Sequence, residues 1–364
     1  MGVCLNELNK KIEILLSKDI EFTQQKTTKM SSFQINTIKI NMTEHVIGLS
    51  KNQDHTVTGQ GVLNGESFDF AVLMDGHGTD FFINLMRRQN WPAIMCADDP
   101  WAELYKILER IEIVNNTKVR TAYGMSKKES SGSTLLMMRA FAARIETISI
   151  GDSQIVIFKN DEYLYGSTPH NRKNPAEVVR IATNPGYSHT TQERPIPSIR
   201  NASALQSIPA EYNRFVDGTV LAMTQAIGHN NITGYDPERN TIFFDEDDTM
   251  DVIMGSDGLW EMILMEQSAH NTPPLTEEEK GDILQDMADL LVMNAAELVA
   301  KAEARWKKVD WQFYWDINDF TKVVKAASFG GGYDDISVVK WSKEGIKCFE
   351  PRPAAATTKT DSTA

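Results

Sequence analysis

The sequence predicts an α+β protein built on packed antiparallel sheets, and three observations lead there. Short apolar runs, most of them rich in β-branched residues, read as strands at Phe70 to Met74, Thr134 to Met138, Ile145 to Ile150, Ile155 to Phe158, Val220 to Met223, Val252 to Met254 and Ile336 to Trp341. Helical spacing of apolar residues comes in separate blocks, Trp101 to Val114 and Glu277 to Trp306. Strands therefore do not alternate with helices as a doubly wound parallel sheet requires, so antiparallel sheets are expected.

Taken in order, Leu5, Leu8, Ile12, Ile14 and Leu15 recur near helical spacing, and the polar stretch Thr23 to Ser32 follows, so residues 1–36 read as a helix and linker. Residues 37–343 form the expected folded domain, without internal repeat or low-complexity interruption. Within it Ile283, Met287, Leu290, Leu291 and Leu298 share one helical face. Residues 344–364 read as a disordered tail, rich in Pro, Ala, Thr and Ser from Glu350 onward.

Composition narrows the function classes. The 364 residues, 41% hydrophobic and 24% charged, are enough for a sizeable core. Fifty acidic residues against 37 Lys and Arg give a formal charge of -13, which argues against nucleic acid or anionic lipid as partner. Cys4, Cys96 and Cys348 suit neither a disulfide framework nor a paired-cysteine metal site, and reduced cytosol is the expected compartment, with the nucleus as a second. No apolar run spans a membrane and no secretory signal is seen. Gly2 and Cys4 offer lipidation positions, but Asn6 stands where the acylation motif takes Ser or Thr. Without a heptad seam the expectation is a monomer.

Four aspartates sit at the ends of predicted strands: Asp75 after Leu73-Met74, Asp152 after Ile150-Gly151, Asp257 after Gly255-Ser256, and Asp334 just before Ile336. A carboxylate just beyond an apolar strand is fixed by the sheet yet leaves the core, so several strands can converge their ends on one cation. One Asp-Gly after a strand is commonly only a turn; four such sites together point to a site. Hard oxygen donors, without cysteine pairs or spaced histidines, favour Mg²⁺ or Mn²⁺ over zinc. Two such ions can activate water and clamp a phosphoryl group for in-line attack.

The surrounding residues make a resemblance specific. Asp75-Gly76-His77-Gly78, Ser131-Gly132-Ser133-Thr134, Gly151-Asp152-Ser153, Ser256-Asp257-Gly258-Leu259-Trp260 and Asp334-Asp335-Ile336-Ser337 resemble, in order and spacing, the motifs of the protein phosphatase 2C family. Weaker echoes are Thr168-Pro169-His170, Glu177 to Ile181 and Leu221 to Gly228. The resemblance covers roughly residues 37 to 343 and implies a sandwich of two antiparallel sheets flanked by helix pairs, with metals in a cleft at one end. It implies hydrolysis of phosphoserine and phosphothreonine on phosphoprotein substrates by a metal-activated water. By position, Asp75 would bridge two ions, the Gly76 carbonyl would bind one, and Asp257 and Asp334 would complete the other. Asp152 would serve a third, weaker site with Asp257 and Glu261, where Asp is usual. His77 would be the general acid toward the leaving oxygen.

Departures cluster in the first motif, where Leu49-Ser50-Lys51-Asn52-Gln53-Asp54 aligns with R-x-x-M/N-E-D. Leu49 replaces a bidentate phosphate grip, leaving Lys51 as the candidate phosphate contact. Gln53 can hydrogen bond a metal water without adding charge, and Asp54 is retained. Met223 to His229 replaces the usual S-R-A-x-G-D, and Thr79 follows Gly78 where a second Gly is common. Asn171 to Phe215 would form the flap beside the site. Two alternatives follow: a pseudophosphatase acting as a protein-binding adaptor, motivated by Leu49, Gln53 and Gln225, and a hydrolase of small phosphorylated molecules.

Overall fold

The computed structural model describes residues 40–49, 51–118, 130–193, 205–207, 210–264, 276–285, 289–307, 312–316, 319–327 and 334–345. These lie within one compact unit, Ile38–Ala364. The expected helix and linker over 1–36, Gly2, Cys4 and the tail beyond Gly345 lie outside the described residues. No helix among the described residues is long and apolar enough to cross a membrane.

In chain order the elements begin with β1 (Ile40–Ile47), β2 (Asp54–Leu63), β3 (Glu66–His77), α1 (Asp80–Met86), α2 (Trp91–Met95) and α3 (Pro100–Lys118). Next come β4 (Gly132–Ser133), β5 (Leu135–Ala140), β6 (Arg144–Ile150), β7 (Gln154–Lys159), β8 (Glu162–Gly166) and α4 (Pro175–Thr183). Short strands follow: β9 (Tyr187–Glu193), β10 (Leu205–Ser207), β11 (Ala210–Phe215), β12 (Val220–Leu221) and β13 (Ile227–Gly228). The chain continues through β14 (Glu238–Phe243), β15 (Met250–Gly255), α5 (Asp257–Leu264), α6 (Glu277–Gln285), α7 (Asp289–Val292) and α8 (Ala295–Lys307). It closes with β16 (Gln312–Asp316), β17 (Asp319–Ala327) and β18 (Ile336–Lys343).

Two large sheets result. One runs β1-β18-β15-β7-β8, the other β13-β4-β3-β5-β6-β14 with β2 along β3, and every pairing in them is antiparallel. Asn64-Gly65, with φ of 52° and 86°, makes the two-residue turn between β2 and β3. Strand side chains alternate between faces, and here both faces are covered. Ala71 and Leu73 of β3 join Ile155, Ile157, Val252, Met254, Val339 and Trp341 between the sheets. The alternate residues Phe70, Val72 and Met74 face Phe82, Met86, Trp91, Leu104 and Leu108 of α1 to α3. On the other outer face Val156, Ile253 and Val338 meet Trp260, Leu284, Leu290, Leu298 and Trp306 of α5 to α8. Helix, sheet, sheet and helix layers are thus joined through three apolar seams, the fold class the sequence predicts.

Beside the sandwich, β12-β11-β9 and β10-β16-β17 form two three-stranded sheets. Strands β9, β10 and β11 fall in the segment expected as a flap, and α4 with the first sheet closes over Ile181, Phe215, Leu221, Met223 and Ala226. Residues 194–204 of that flap lie outside the described residues.

Two expectations need correction. The strand at Val220 to Met223 ends at Leu221, and Met223 makes only an isolated bridge with Asn171. The apolar face expected over Glu277 to Trp306 does not run along one helix, because Asn294 starts α8 afresh: its side chain accepts from Glu297 N at 3.0 Å while Glu297 accepts from Asn294 N at 2.8 Å, and Met287 of that face lies outside the described residues. That reciprocal capping box satisfies backbone donors only where a helix begins.

Candidate metal centre

Strand register brings the first two carboxylates together. Asp54 opens β2 directly opposite Asp75 near the end of β3, and both are buried. Like charges in such a cross-strand pair destabilise a sheet unless a cation or proton intervenes. The other sheet supplies the rest: Asp257 begins α5 just after β15, and Asp334 and Asp335 precede β18, the neighbour of β15. Ser256 and Ser337 stitch those strand ends, with Ser256 N on the Ser337 carbonyl at 3.1 Å and Ser337 N on Ser256 Oγ at 3.0 Å. Gly258 permits the approach, since a Cβ there would stand 2.2 Å from the Asp335 carbonyl oxygen.

The quoted motifs turn out to be the scaffold of Asp75. Its backbone N donates to Thr134 Oγ1 at 3.1 Å, and its carbonyl accepts from Ser133 Oγ and Thr134 N, each at 2.9 Å. Thr134 Oγ1 reaches Ser153 Oγ at 2.7 Å, tying this strand to the turn that carries Asp152. Asp152 is itself buried at 2% exposure. Because Gln154 pairs with Gly255, Asp152 and Asp257 lie at the same end of adjacent strands. Glu261, half-buried, follows Asp257 by one helical turn and so shares its face.

The carboxylates act on one another's charge. Burial, and then the charges of Asp54, Asp257 and Asp334, push the Asp75 carboxyl well above the usual carboxylate range. Asp257 is raised too, first by burial and next by Asp334. Asp54 is raised chiefly by burial, with Asp335, Asp257 and Asp334 adding repulsion; the nearby Ser337 hydroxyl favours its anion without forming a hydrogen bond of ordinary geometry. Both oxygens of Asp54 and Oδ1 of Asp257 are sealed from solvent without a hydrogen-bond partner. Buried, unsatisfied carboxylate oxygens fit hard divalent cations such as Mg²⁺ or Mn²⁺. Among the described residues no three His, Cys, Asp or Glu side chains stand close enough to ligate one ion.

The first-motif loop is held by a residue whose role the sequence did not reveal. Asp335, 2% exposed, accepts backbone N–H bonds from Leu49 at 2.9 Å and Lys51 at 3.2 Å on Oδ1, and from Gln53 at 2.8 Å on Oδ2. The consecutive Asp334-Asp335 just ahead of a strand was the available signal, one carboxylate for the site and one for the loop. Lys51 Nζ lies 3.2 Å from Asp334 Oδ1, on the acidic group itself. Burial opposes its charge, but Asp334, Asp75 and Asp257 outweigh that and raise its pKa. Gln53 Nε2 donates to the Gly78 carbonyl at 3.2 Å and to Asp80 at 2.7 Å, so it braces the turn after His77. Leu49 packs against the helix-side core.

His77 Nδ1 lies 3.3 Å from the Asp75 carbonyl, which can only accept, so Nδ1 carries the proton and Nε2 the lone pair. Its ring stacks on His229, with centroids 4.7 Å apart and planes tilted by 36°. Burial first, then His229 and Lys51, lower the His77 pKa well below the usual value, against a weaker pull from the Asp75 carbonyl. His229 is lowered to about 4 by burial, and its Nδ1 meets Ser130 Oγ at 3.1 Å. This pair was not foreseen as a unit, because residues 77 and 229 meet only through the fold.

Comparison with known proteins now places the chain. The protein phosphatase 2C family matches residues 31–298, and the chain belongs to that family. Asp334 and Asp335 lie beyond the matched segment, so their part in the centre rests on the geometry above. No curated protein sequence matches. Solved structures that align include a C. elegans sex determining protein, 15% identical, covering 85% of this chain and 66% of that one with a TM-score of 0.48. The S. agalactiae serine/threonine phosphatase is 19% identical over 83% of this chain and 99% of its own, at a TM-score of 0.40. The Mycobacterium tuberculosis serine/threonine phosphatase is 16% identical over 84% and 99%, at 0.43.

Proposed function

We propose that the chain hydrolyses phosphoserine and phosphothreonine on proteins. The observation that carries this is the meeting, at one end of the sandwich, of Asp54 and Asp75 from one sheet with Asp257 and Asp334 from the other, their buried oxygens partly unsatisfied. Asp75, Asp257 and Asp334 would hold two ions, with the Gly76 carbonyl beside them and Asp152 and Glu261 toward a third. Mg²⁺ or Mn²⁺ bound there supplies Lewis acidity, making water nucleophilic and neutralising charge on the phosphoryl group.

The remaining work falls to the chain's own groups. Asp257 at the start of α5 is held by the favourable helix dipole and by a backbone bond within its first turn. Asp335 fixes the loop that presents Lys51 and Gln53. His77 offers Nε2, the ring atom without a partner, to take a proton and return it to the departing serine or threonine oxygen. Leu49 and Gln53 favour a second reading, an adaptor of the same fold, because one packs into the core and the other braces a turn.

A phosphothreonine peptide assayed with Mn²⁺ or Mg²⁺, with EDTA and Asp257→Asn as controls, decides between them. Metal-dependent turnover lost in both controls is the expected result. No turnover across several phosphopeptides would overturn the protein phosphatase reading.

A further inference from the structure

Lys51 occupies a position at which the family motif specifies no residue, and the structure places its ammonium against the carboxylates that the proposed function assigns to metal. Nζ is 3.2 Å from Asp334 Oδ1, and Asp75 and Asp257 act on the same charge. The loop that delivers it is anchored on both sides. Asp335 accepts from the backbone N of residues 49, 51 and 53. On the other side Arg87 donates to the carbonyls of Asn52 and Asp54, each at 3.1 Å. Asn52 makes the intervening turn at a φ of 53°.

We propose that Lys51 is a built-in counter-cation of this centre: its ammonium balances the acidic group until a divalent ion displaces it, and so lowers the affinity for that ion. The inference rests on reading the carboxylates as metal ligands. Acidic groups gathered without compensation are costly, and one ammonium offsets part of their mutual repulsion. An entering divalent ion meets a like charge a few ångströms away and must drive it out. The way out is open, since the Lys51 side chain is 51% exposed and its flexible stem can swing into water.

The test is Mn²⁺ titration of the full chain by calorimetry, with Lys51→Met and Lys51→Arg beside the wild type. Lys51→Met should bind Mn²⁺ about tenfold more tightly, a modest figure for removing a unit charge at such range once solvent screening is allowed for. Lys51→Arg, which keeps the charge, should stay within about twofold of wild type. The metal-free Lys51→Met protein should also melt at lower temperature than wild type, and that deficit should close at saturating Mn²⁺. Binding by Lys51→Met alone would support the proposal further. Measurable but equal affinities, or weaker binding in Lys51→Met, would overturn the role of Lys51 and leave the metal centre standing. No Mn²⁺ binding in any of the three proteins would overturn both.

Discussion

Replacing Asp335 by Ala removes the acceptor for three backbone N–H groups of one loop, those of Leu49, Lys51 and Gln53 at 2.9, 3.2 and 2.8 Å. A hydrogen bond to a charged group contributes about 1.5–3 kcal/mol net, so three give about 4.5 kcal/mol at the low end. Against this stands relief of repulsion, because Asp335 adds to the charge that raises Asp54. The expected net loss is about 3 kcal/mol in the metal-free protein. Asp335→Asn should fall between: Oδ1 keeps two amides, while the new amide group meets Gln53 N as donor against donor. Urea unfolding followed by fluorescence measures the loss. Hydrogen exchange on a peptide spanning residues 49–54 locates it, with the amides of 49, 51 and 53 exchanging faster. A loss under about 1 kcal/mol with unchanged exchange would show that the loop is held by other means, and the claim that Asp335 positions Lys51 and Gln53 would fail.

Three further outcomes follow from particular groups. The Asp54 carboxyl is raised to about 8 from an ordinary value of 3.8, so the folded metal-free state holds a proton that the unfolded chain releases, and stability falls as pH rises from about 4 to about 8. Asp54→Asn should flatten that decline and stabilise the metal-free protein at pH 8 by a few kcal/mol, read from urea midpoints at pH 5 and pH 8. His229 has the opposite sign, since its folded pKa is depressed to about 4 from 6.5. Its contribution is complete above about pH 6.5 and is lost as pH falls toward 4, so His229→Gln should blunt acid destabilisation by about 2–3 kcal/mol across that window, provided the fold is kept. Leu49→Arg should lower KM for a phosphothreonine peptide with kcat nearly unchanged, at a stability cost of about 1 kcal/mol for unpacking from the helix-side core.

The central strands were legible because both of their faces are buried. Val252 to Met254 and Ile155 to Phe158 read as uninterrupted apolar runs, and the structure shows why: alternate residues serve the inter-sheet seam and the helix-side seam. The strands β1 and β2 went unread for the converse reason. Apart from the buried Asp54, the residues of INMTEHVI and DHTVTGQGVL are half-buried or exposed and carry no apolar run, so what makes them strands is pairing with β18 and β3 rather than local preference. The helix starts in this region are written in the sequence. Thr276 and Glu279 form a capping box where α6 begins, and Asn294 and Glu297 form a second where α8 begins, so an apolar stripe that runs through Asn294 does not make one helix.

At the site, the aspartates were legible one by one because strand ends are local features, whereas what each carboxylate meets is settled by strand register and by loops that come together only in the fold. Residue 54 faces residue 75 within one sheet, and residue 51, in the loop between β1 and β2, meets residue 334 just ahead of β18. That difference decides how the first-motif departures are to be understood. Seen alone, Leu49 and Gln53 look like losses from a phosphate grip and a metal shell, and Lys51 like a substitute for the grip. In the fold Leu49 gains apolar packing, Gln53 gains two acceptors, and Lys51 gains the carboxylates themselves. Gln53 and Lys51 therefore bear on one quantity, the charge balance of the proposed centre before an ion arrives. With Gln53 neutral and Lys51 cationic, the group carries less negative charge than a glutamate and an uncharged residue would give it, so the affinity for the ion, more than the chemistry at the phosphorus atom, is where this chain should differ from a member that keeps the usual first motif.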